Sequence, residues 1–292
     1  MKLIKPSFEI INQQSGLEGV YRQIELAGRT CYKSEDKITE DSAKEFVDRM
    51  IKSGHGAMLE HGTVYLFCPT EEYVDSNGDV QYYNPLEKYQ DNSYSALADS
   101  NEGMYVTTNL RVLVENGWLY DLKYLCEPTE YHERRITVKF ICDRGVSHEF
   151  VRHRVFSFAQ ESTRYCNYSK DKFGNELTFI LPCWCNHQED GDYGDIFNHT
   201  RKNVGNKDGV FSEFTDGLYQ AEHKYLKLLE QGWKAQEARA ILPNALKTEL
   251  VMTGFVIDWE HFFELRDAGS AHPQARELAQ PLHQEFITRK YI

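Results

Sequence analysis

The spacing of apolar residues near the N-terminus predicts an amphipathic helix followed by a strand. Apolar side chains recur every three or four positions within 42–53, which is the spacing of one helix face. Ser42 and Glu45 match a capping box at its start, and Gly54 suits the left-handed residue that often follows a helix. Residues 63–68 (TVYLFC) have the β-branched and aromatic composition of a strand.

Residues 69–134 interrupt this regular pattern. They contain turn sequences and many tyrosines, with one helix predicted within 107–125. Residues 135–142 (RITVKFIC) alternate clearly and predict a second strand. We expect the strands at 63–68 and 135–142 to belong to one sheet. We therefore interpret 69–134 as a lid or surface insertion and not as a separate catalytic unit.

The remainder of the chain is predicted to be mainly helical. Asp143 opens a predicted helix over 143–157, and the polar residues 158–169 follow as a loop. A surface loop rich in Gly, Asp and Asn is predicted at 186–209. Later helices are predicted at 212–231, in a short segment before Pro243, at about 244–253, from Asp258, and from Pro273 with a kink at Pro281. The fold class is therefore α+β: an antiparallel or mixed sheet flanked by helices, with an inserted segment and a helical C-terminal third, in a single domain over 1–292.

Composition and charge narrow the functional classes. The 292 residues are 41% hydrophobic and 27% charged, which is typical of a globular protein with a substantial core. The formal net charge of −12 disfavours general binding to nucleic acid or to anionic membranes, so an anion site must be a local basic patch. The first residues lack a signal-peptide pattern and no apolar stretch is long enough to cross a membrane, so we expect a cytoplasmic protein.

Cysteine and histidine spacing gives little support for a disulfide framework or a metal site. The seven cysteines are an odd number at irregular intervals, and Cys183 and Cys185 form only a lone C-x-C pair. His55 and His61 are not spaced as in a zinc-binding H-E-x-x-H helix. We therefore predict no metal and a hydrogen-bonded core position for His61. For His55, a simple turn position and a ligand contact are both open.

Arginine is concentrated in one short segment. Arg152-His153-Arg154 is followed, after seven residues, by Ser162-Thr163-Arg164. Guanidinium groups bind phosphates and carbonyls in a bidentate way, and loop hydroxyls add neutral donors, so the segment suits a phosphorylated ligand. A solvent-exposed basic helix face would explain the same composition. Arg239 and Arg266 strengthen the ligand interpretation, although Arg266 could instead pair with a nearby Glu or Asp.

The pattern R-H-R-x7-S-x-R, here RHRVFSFAQESTR, resembles the signature of the flavin-dependent thymidylate synthases. SGHGAMLEHGTV resembles the first flavin segment of that family, and EARAILP and FFELR resemble its later nucleotide segments, in the same order. The resemblance covers about 30–68, 135–182 and 212–290, and it leaves 69–134 largely uncovered.

The resemblance implies an enzyme that methylates dUMP to dTMP and releases tetrahydrofolate. The carbon would come from 5,10-methylenetetrahydrofolate, and the hydride from NADPH through bound FAD. The redox chemistry belongs to the flavin, while the protein supplies binding and electrostatics. A homotetramer with FAD at subunit interfaces is also implied. We therefore expect His55 and His261, which lie far from the R-H-R sequence, to meet it across an interface.

The same resemblance assigns residues to each ligand. The implied FAD contacts are His55, Ala57, Arg152, His153, Arg154, Ser157, Gln160 and His261. The implied dUMP contacts are Glu149, Phe150, Val151, Arg152, Gln160, Glu161, Ser162, Thr163, Arg164, Arg239 and Arg266. Arg266 is the implied catalytic residue, because a permanently charged guanidinium beside the uracil stabilises ionisation at N3.

Three positions depart from the family pattern. Ala57 replaces a hydroxyl residue, Glu149 stands where a Gln is common, and Phe255 to Ile257 lack the usual polar groups of a flavin-contact stretch. A cysteine nucleophile is not expected, although Cys166 lies close to the R-H-R-x7-S-x-R segment. A family that works through reduced flavin does not need a protein thiolate.

Two other functional classes stay open at the level of sequence. The arginines and tyrosines could serve an RNA- or nucleotide-binding module, which the acidic net charge and the lack of a long basic stripe disfavour. The histidines could serve a metal-dependent nucleotide hydrolase. Visible flavin absorption would distinguish the synthase from both.

Overall fold

A computed structural model describes residues 1–185, 190–193 and 209–292 and confirms the α+β class. The strands are β1 (Lys2–Ile4), β2 (Ser7–Ile11), β3 (Thr63–Pro69), β4 (Glu71–Val74), β5 (Val80–Tyr83), β6 (Ala96–Ser100), β7 (Gly103–Asn109), β8 (Arg135–Asp143), β9 (Ser157–Gln160), β10 (Thr178–Ile180), β11 (Gly191–Asp192) and β12 (Lys247–Phe255). The α-helices are α1 (Gly16–Tyr32), α2 (Ser42–Lys52), α3 (Gly56–Leu59), α4 (Leu110–Glu115), α5 (Arg144–Phe150), α6 (Gly209–Glu230), α7 (Ala235–Ala238), α8 (Val256–Arg266) and α9 (Pro273–Thr288). The loop predicted at 186–209 lies, except for 190–193 and 209, outside the described residues.

The central sheet has the strand order β2-β8-β12-β9, and its neighbouring strands are antiparallel. β8 and β12 pair along their whole length, from Asp143 opposite Lys247 to Arg135 opposite Phe255. The other described strands form a β3-β7-β6 sheet, a β10-β1-β11 sheet and the β4–β5 hairpin. The long β8–β12 pair is therefore the frame to which the helices that follow these strands attach.

The helix predicted at about 244–253 is wrong, because most of this segment is β12. Residues Thr248 to Thr253 are buried, with β8 and β9 on either side of the strand. A central strand that is buried on both faces has a continuous apolar run, which periodicity alone does not separate from a helix. The β-branched residues at 248, 251 and 253 were the signal in the sequence for a strand.

The helix predicted over 143–157 is shorter than expected. α5 begins as predicted, with the Asp143 carboxylate accepting a hydrogen bond from the Val146 N–H at 2.6 Å, but it ends at Phe150. The chain then makes a tight turn that carries Arg152 to Arg154 and returns beside β12 as β9. The first part of the predicted loop is therefore a strand.

The core on one face of the central sheet is aromatic. Trp259 and Phe262 of α8 pack in one cluster with Phe140 of β8 and Phe150 of α5, and all four side chains are fully buried. The ring centroids of Phe150 and Phe262 are 5.0 Å apart in an edge-to-face arrangement. This cluster fixes α5 against α8.

Residues 69–134 contribute to a second core. β3 and β8 lie in different sheets, so the expectation that they flank this segment in one sheet is wrong. β7 pairs with β3 along its whole length, and Tyr89 and Leu110 are buried in one cluster with residues of α1 and α2. The helix predicted within 107–125 is confirmed only as α4, which a left-handed Gly117 (φ +70°) separates from a following 3-10 turn. The β4–β5 hairpin, by contrast, is exposed on both faces.

Other predicted helices are confirmed, with one correction to a cap. The helix at 42–53 is α2, and Gly54 follows it with φ +70°. The Ser42 hydroxyl does not cap this helix but donates to Glu25 Oε2 at 2.8 Å, which ties α2 to α1. The helices expected at 212–231, before Pro243, from Asp258 and from Pro273 are α6, α7, α8 and α9, the last of which continues through Pro281.

Glu277 of α9 has a buried Oε1 atom that forms no hydrogen bond with the described residues. Burial, and then the charge of Asp143, raise the pKa of Glu277 to about 7. The folded state therefore holds the Glu277 proton more tightly than the unfolded chain does. This group stabilises the fold fully below its ordinary pKa of 4.5, and the contribution is lost as the pH rises through about 7.

We predict that Glu277→Gln raises the melting temperature at pH 8 by about 2–4 °C, the shift that about 1 kcal/mol produces in a protein of roughly this size, and leaves it unchanged at about pH 4, below the ordinary pKa of the group. The neutral amide mimics the protonated carboxyl group, so the proteins differ only where the wild type must ionise. Glu285→Gln, on the same helix but paired with Arg289 at the surface, is the control. Equal shifts at both pH values would contradict the prediction.

Candidate active site

A tight turn presents the two arginines of the R-H-R sequence to solvent. α5 ends where Phe150 enters the core, and the His153 N–H donates to the Phe150 carbonyl oxygen at 3.0 Å. Arg152 and Arg154 are exposed, while His153 between them is buried. Two solvent-facing guanidinium groups therefore flank a buried imidazole.

Arg266, the last residue of α8, is hydrogen-bonded to α5 and to the turn. Its Nε donates to His153 Nε2 at 2.9 Å, its Nη1 to Glu149 Oε2 at 2.6 Å, and its Nη2 to the Glu149 carbonyl oxygen at 2.6 Å. The salt bridge that the sequence left open as the alternative for Arg266 is thus present. A guanidinium group carries five N–H groups, so two remain beyond these three contacts with the described residues.

Burial and charge set the protonation states around Arg266. Burial, and then the charge of Arg266, lower the pKa of His153 to about 4, so the imidazole is neutral at pH 7. Because His153 Nε2 accepts the hydrogen bond from Arg266, the imidazole proton lies on Nδ1. The hydrogen bond from Arg266 lowers the pKa of Glu149, which is therefore a carboxylate. Arg266 and Glu149 form an ion pair beside a neutral histidine.

A pocket of about 230 Å³, the small pocket, brings five of the predicted site residues together. The ring centroids of His153 and His261 are 6.2 Å apart within one chain. The expectation that His261 reaches the R-H-R sequence across a subunit interface is therefore wrong. The predicted site residues that line the small pocket are Arg152, His153, Arg154, His261 and Arg266.

A larger cleft of about 600 Å³ adjoins the small pocket, since Arg154 and Val155 line both. We call it the large cleft. Ser157 of β9, predicted as a flavin contact, also lines it. Residues 92–116 supply further lining side chains, among them Tyr94. The large cleft therefore combines predicted flavin residues with part of the segment that the sequence predicted as a lid or surface insertion.

Arg135 lines the large cleft but was not predicted as a site residue. Its Nη1 donates to the Glu60 carbonyl oxygen at 3.1 Å and its Nη2 to Ser157 Oγ at 3.3 Å. These contacts tie the segment after His55 to the strand that carries Ser157. An arginine at the start of an alternating apolar strand was the signal in the sequence, because such a side chain must find partners when buried.

The Ser162-Thr163-Arg164 loop lies beside the C-terminal end of α1. The Ser162 N–H donates to the Cys31 carbonyl oxygen at 3.0 Å, and Arg239 Nη1 donates to Thr163 Oγ1 at 3.3 Å. Arg164 is exposed. The structure therefore brings Arg239 to the loop, as expected for residues that share one ligand.

Two predicted dUMP contacts, Glu161 and Phe150, have buried side chains. Glu161 is 2% exposed, and its carboxylate accepts hydrogen bonds from Tyr168 OH at 2.8 Å and Lys247 Nζ at 2.9 Å. Phe150 belongs to the aromatic core. Neither side chain is therefore free to contact a ligand.

Gln160 and Val151, which are next to Glu161 and Phe150 in the sequence, are less buried. Gln160 is partly buried, and its Nε2 donates to Ser147 Oγ at 2.8 Å and to Thr248 Oγ1 at 3.3 Å. Val151 is partly buried at the start of the turn. Because both amide hydrogens of Gln160 have partners, a ligand contact from this side chain would use its carbonyl oxygen.

A buried ion network behind Glu161 was not predicted. Glu249 of β12 forms ion pairs with Lys33, Lys139 and Lys247 at 2.8, 2.6 and 2.5 Å, and Lys247 also pairs with Glu161. Burial alone would raise the pKa of Glu249, but the three lysines hold it well below its usual range. These residues come from separate parts of the chain, so no local pattern revealed them.

His55 and Ala57 lie apart from the R-H-R turn. Ala57 is exposed on α3, and His55 lines a separate pocket of about 450 Å³ together with Arg29 and Tyr32. His55 does not line the small pocket or the large cleft. One chain therefore assembles most, but not all, of the residues assigned to FAD.

Two titratable side chains, His61 and Cys166, are too deeply buried to contact a ligand. His61 is confirmed as a hydrogen-bonded core histidine, with Nδ1 2.8 Å from Thr253 Oγ1. Burial, and then Arg135, lower the pKa of His61 to about 3. Cys166 is 1% exposed, and burial, followed by the charge of Glu161, raises the pKa of its thiol to about 12. Cys166 is therefore a buried thiol at neutral pH.

Within 1–185, 190–193 and 209–292, no three His, Cys, Asp or Glu side chains are grouped closely enough to hold a metal ion. The histidine-based hydrolase alternative thus has no ligand set in the described part of the chain. In these same ranges, none of the helices is long and apolar enough to cross a membrane.

Known proteins with similar sequence include flavin-dependent thymidylate synthases. That of Pyrococcus horikoshii is 29% identical over 151 residues, 52% of this chain and 54% of that protein. That of Corynebacterium aurimucosum is 25% identical over 259 residues, 88% of this chain and 71% of that protein. The chain spans about half the length of the Pyrococcus relatives that it matches. Among solved structures, that of a UMP/dUMP methylase PolB from Streptomyces cacaoi, bound with 5-Br dUMP, has a TM-score of 0.43 and 16% identity and covers 99% of this chain and 93% of that one.

A family model described as Thymidylate synthase complementing protein matches residues 128–289, which is more than half of the chain. The matched range contains the turn with Arg152 to Arg154 and α8, whose residues line the small pocket. Residues 92–116, which line the large cleft, lie before it. The chain therefore belongs to the thymidylate synthase complementing protein family.

Proposed function

We propose that this protein methylates dUMP to dTMP, with FAD as bound cofactor, 5,10-methylenetetrahydrofolate as carbon donor and NADPH as reductant. The observation that carries the proposal is the meeting of the R-H-R turn with His261 and Arg266 in the small pocket of one chain. The sequence resemblance assigned these residues to FAD and dUMP from distant segments. Membership of the family and the names of its relatives support the same reaction.

The large cleft and the small pocket fit a flavin dinucleotide in size and chemistry. The large cleft, at about 600 Å³, lies within the range of roughly 300–1,000 Å³ that is common for ligand sites. Arg154, where the two cavities meet, suits a pyrophosphate, and Phe156 and Phe255 offer flat apolar surface. When bound, FAD would supply the hydride-transfer chemistry that protein side chains lack.

Arg266 is assigned to the uracil ring. Methylation at C5 requires electron density there, and ionisation at N3 supplies it if a cation stabilises the resulting charge. The two N–H groups of Arg266 that the described residues leave unused can donate to a uracil carbonyl oxygen. Glu149 and His153 hold the guanidinium group in place, although the Glu149 carboxylate also weakens its positive field.

The Ser162-Thr163-Arg164 loop and Arg239 are assigned to the phosphate of dUMP. Two guanidinium groups and two hydroxyls form a donor set that matches a dianionic phosphate. Arg164 and Arg239 are both exposed, so neither has to leave a buried ion pair to bind an anion. The contact between Arg239 and Thr163 already holds two of these donors together.

The test of the proposed reaction is anaerobic incubation of the purified protein with NADPH, dUMP and methylenetetrahydrofolate, followed by assay of dTMP. Flavin bands in the visible spectrum and dTMP formation are expected. A colourless protein with stoichiometric zinc would favour the hydrolase. A colourless protein that binds RNA but forms no dTMP would favour the binding module.

We also propose a homotetramer with FAD at subunit interfaces, because His55 lies outside the pockets that contain the R-H-R turn. We predict that His55→Ala and Arg154→Ala each reduce FAD binding. Mixed oligomers of the two variants should regain part of it, since some interfaces then combine two intact sets of residues. Sedimentation should give the mass of four chains. An active, flavin-loaded monomer would refute the proposal.

We predict that Arg266→Ala retains its fold and its flavin but loses dTMP formation by about 100- to 1,000-fold, the loss typical of removing one preorganised donor to a developing anion. Circular dichroism and flavin absorbance verify that the variant is folded and contains flavin, and dTMP formation is the measurement. Arg276→Ala, which removes an arginine that pairs with Asp267 after α8, is the matched control. Wild-type turnover in folded Arg266→Ala would remove Arg266 from the reaction.

We predict that Cys166→Ser stays active within about tenfold, which allows about 1.4 kcal/mol for losses of packing. The Cys166 thiol is buried and its pKa is raised to about 12, so it is not a thiolate that could attack the uracil ring. The assay is NADPH-dependent dTMP formation in a folded, flavin-loaded variant. A loss of a thousandfold or more, with dUMP still bound, would restore a thiol mechanism.

A further inference from the structure

The large cleft has lining residues that lie outside the range matched by the family model. That range begins at residue 128, whereas Asn92, Tyr94 and Arg111 lie well before it. They share the cleft with Phe255, which belongs to the stretch that lacks the polar groups usual for flavin contacts. The cleft therefore sets an apolar position of β12 against polar and aromatic side chains from 92–116.

Tyr94 is held on a fixed turn with its side chain exposed. The Asn92 Oδ1 atom accepts a hydrogen bond from the Tyr94 N–H at 3.0 Å, and Ser95 Oγ donates to Thr108 Oγ1 of β7 at 2.8 Å. The Tyr94 side chain is 65% exposed at the large cleft. A tyrosine that is presented in this way can cover a flat ring while losing little conformational entropy.

Arg111 is held between two carboxylates. Its Nε donates to Glu115 Oε1 at 2.7 Å, and its Nη1 donates to Glu60 Oε1. Because both partners are negative, Arg111 brings no net positive charge to the cleft. It offers instead fixed N–H donors from its remaining Nη positions, which suits hydrogen bonds to carbonyl oxygens or ring nitrogens more than binding of a phosphate.

The charge balance of the large cleft points to the same class of ligand. Three arginines and three acidic residues line it, so its net charge is near zero. An uncharged ring with hydrogen-bonding edges fits such a surface better than a chain of phosphates does. The six residues are Arg111, Arg135, Arg154, Glu60, Glu115 and Asp258.

We propose that residues 92–116 form a second side of the flavin site, where Tyr94 stacks on a flat ring of the cofactor and Arg111 donates to polar atoms at the edge of that ring. This inference rests on the proposed FAD cofactor. Phe255 to Ile257 lack the polar groups that usually contact a flavin. In the proposed arrangement, residues 92–116 supply polar contacts in their place. Residues 92–116 are then part of the binding site.

The experiment is titration of flavin-free protein with FAD, followed by flavin fluorescence. Tyr94→Ala should raise the Kd for FAD about tenfold, the loss expected when an aromatic stacking partner is removed. Tyr82→Ala is its control, because Tyr82 is 70% exposed on the β4–β5 hairpin and does not line the cleft. Arg111→Lys keeps the charge but loses the planar guanidinium group. It should raise the Kd for FAD at least threefold, which is roughly half of the binding free energy expected to be lost in Tyr94→Ala.

Arg22→Lys is the control for Arg111→Lys, because Arg22 also pairs with a glutamate four residues away at the surface. Both controls should bind FAD within twofold of wild type. The affinity for dUMP, measured on the same proteins, should change in none of them. In the wild type, FAD should slow amide hydrogen exchange in 92–116 and leave the β4–β5 hairpin unaffected.

Each outcome has one meaning. If Tyr94→Ala and Arg111→Lys bind FAD as tightly as the wild type does, the inference is wrong while the proposed cofactor stands. If they lose dUMP affinity and keep FAD affinity, the cleft belongs to the nucleotide and the inference is also wrong. If the wild type binds no FAD, the proposed cofactor itself fails, and the inference fails with it.

Discussion

The site depends on the antiparallel pairing of β8 with β12, because this pairing decides where two helices meet. α5 follows β8 and α8 follows β12, so the helices start at opposite ends of one strand pair and pack on the same face. The seven residues of α5 and the eleven of α8 together span about 27 Å, and a nine-residue strand spans about 30 Å. The helices therefore approach each other along the sheet until their last turns meet. Glu149 and His153 reach Arg266 at this point.

The same meeting point shows how an acidic protein holds a cationic site. The chain carries a formal net charge of −12, yet Arg152 and Arg154 are exposed on the turn, and Arg266 lies beside them in an ion pair with Glu149. A local concentration of guanidinium groups can attract an anionic ligand without making the whole surface attractive to nucleic acid. Burial of His153 as a neutral base lets it accept a hydrogen bond from Arg266 and add no charge.

The sequence predicted which residues of the R-H-R turn and of α8 share a pocket more closely than it predicted the elements that position them. The R-H-R-x7-S-x-R spacing and Arg266 are local signals, and the structure places the R-H-R turn and Arg266 in one pocket. Periodicity predicts a helix where β12 lies, because a strand buried on both faces does not alternate between apolar and polar residues. Arg135 and the lysines around Glu249 were missed because their partners come from distant segments and are joined only by the fold.

The Glu249 network connects the C-terminal end of α1 and the Ser162-Thr163-Arg164 loop to one carboxylate. Lys33 ends α1, and its ion pair with Glu249 fastens that helix to the central sheet. The Cys31 carbonyl oxygen, two residues earlier, holds the Ser162 N–H. Because the folded-state pKa of Glu249 is depressed, its stabilising contribution is present above its ordinary pKa of 4.5 and is lost as the pH falls further. Protonation of Glu249 would remove the carboxylate that Lys33, Lys139 and Lys247 share, and would leave Glu35 and Glu161 as the remaining partners of Lys33 and Lys247. Acid would therefore weaken the same ion network at the end of α1 and beside the Ser162-Thr163-Arg164 loop.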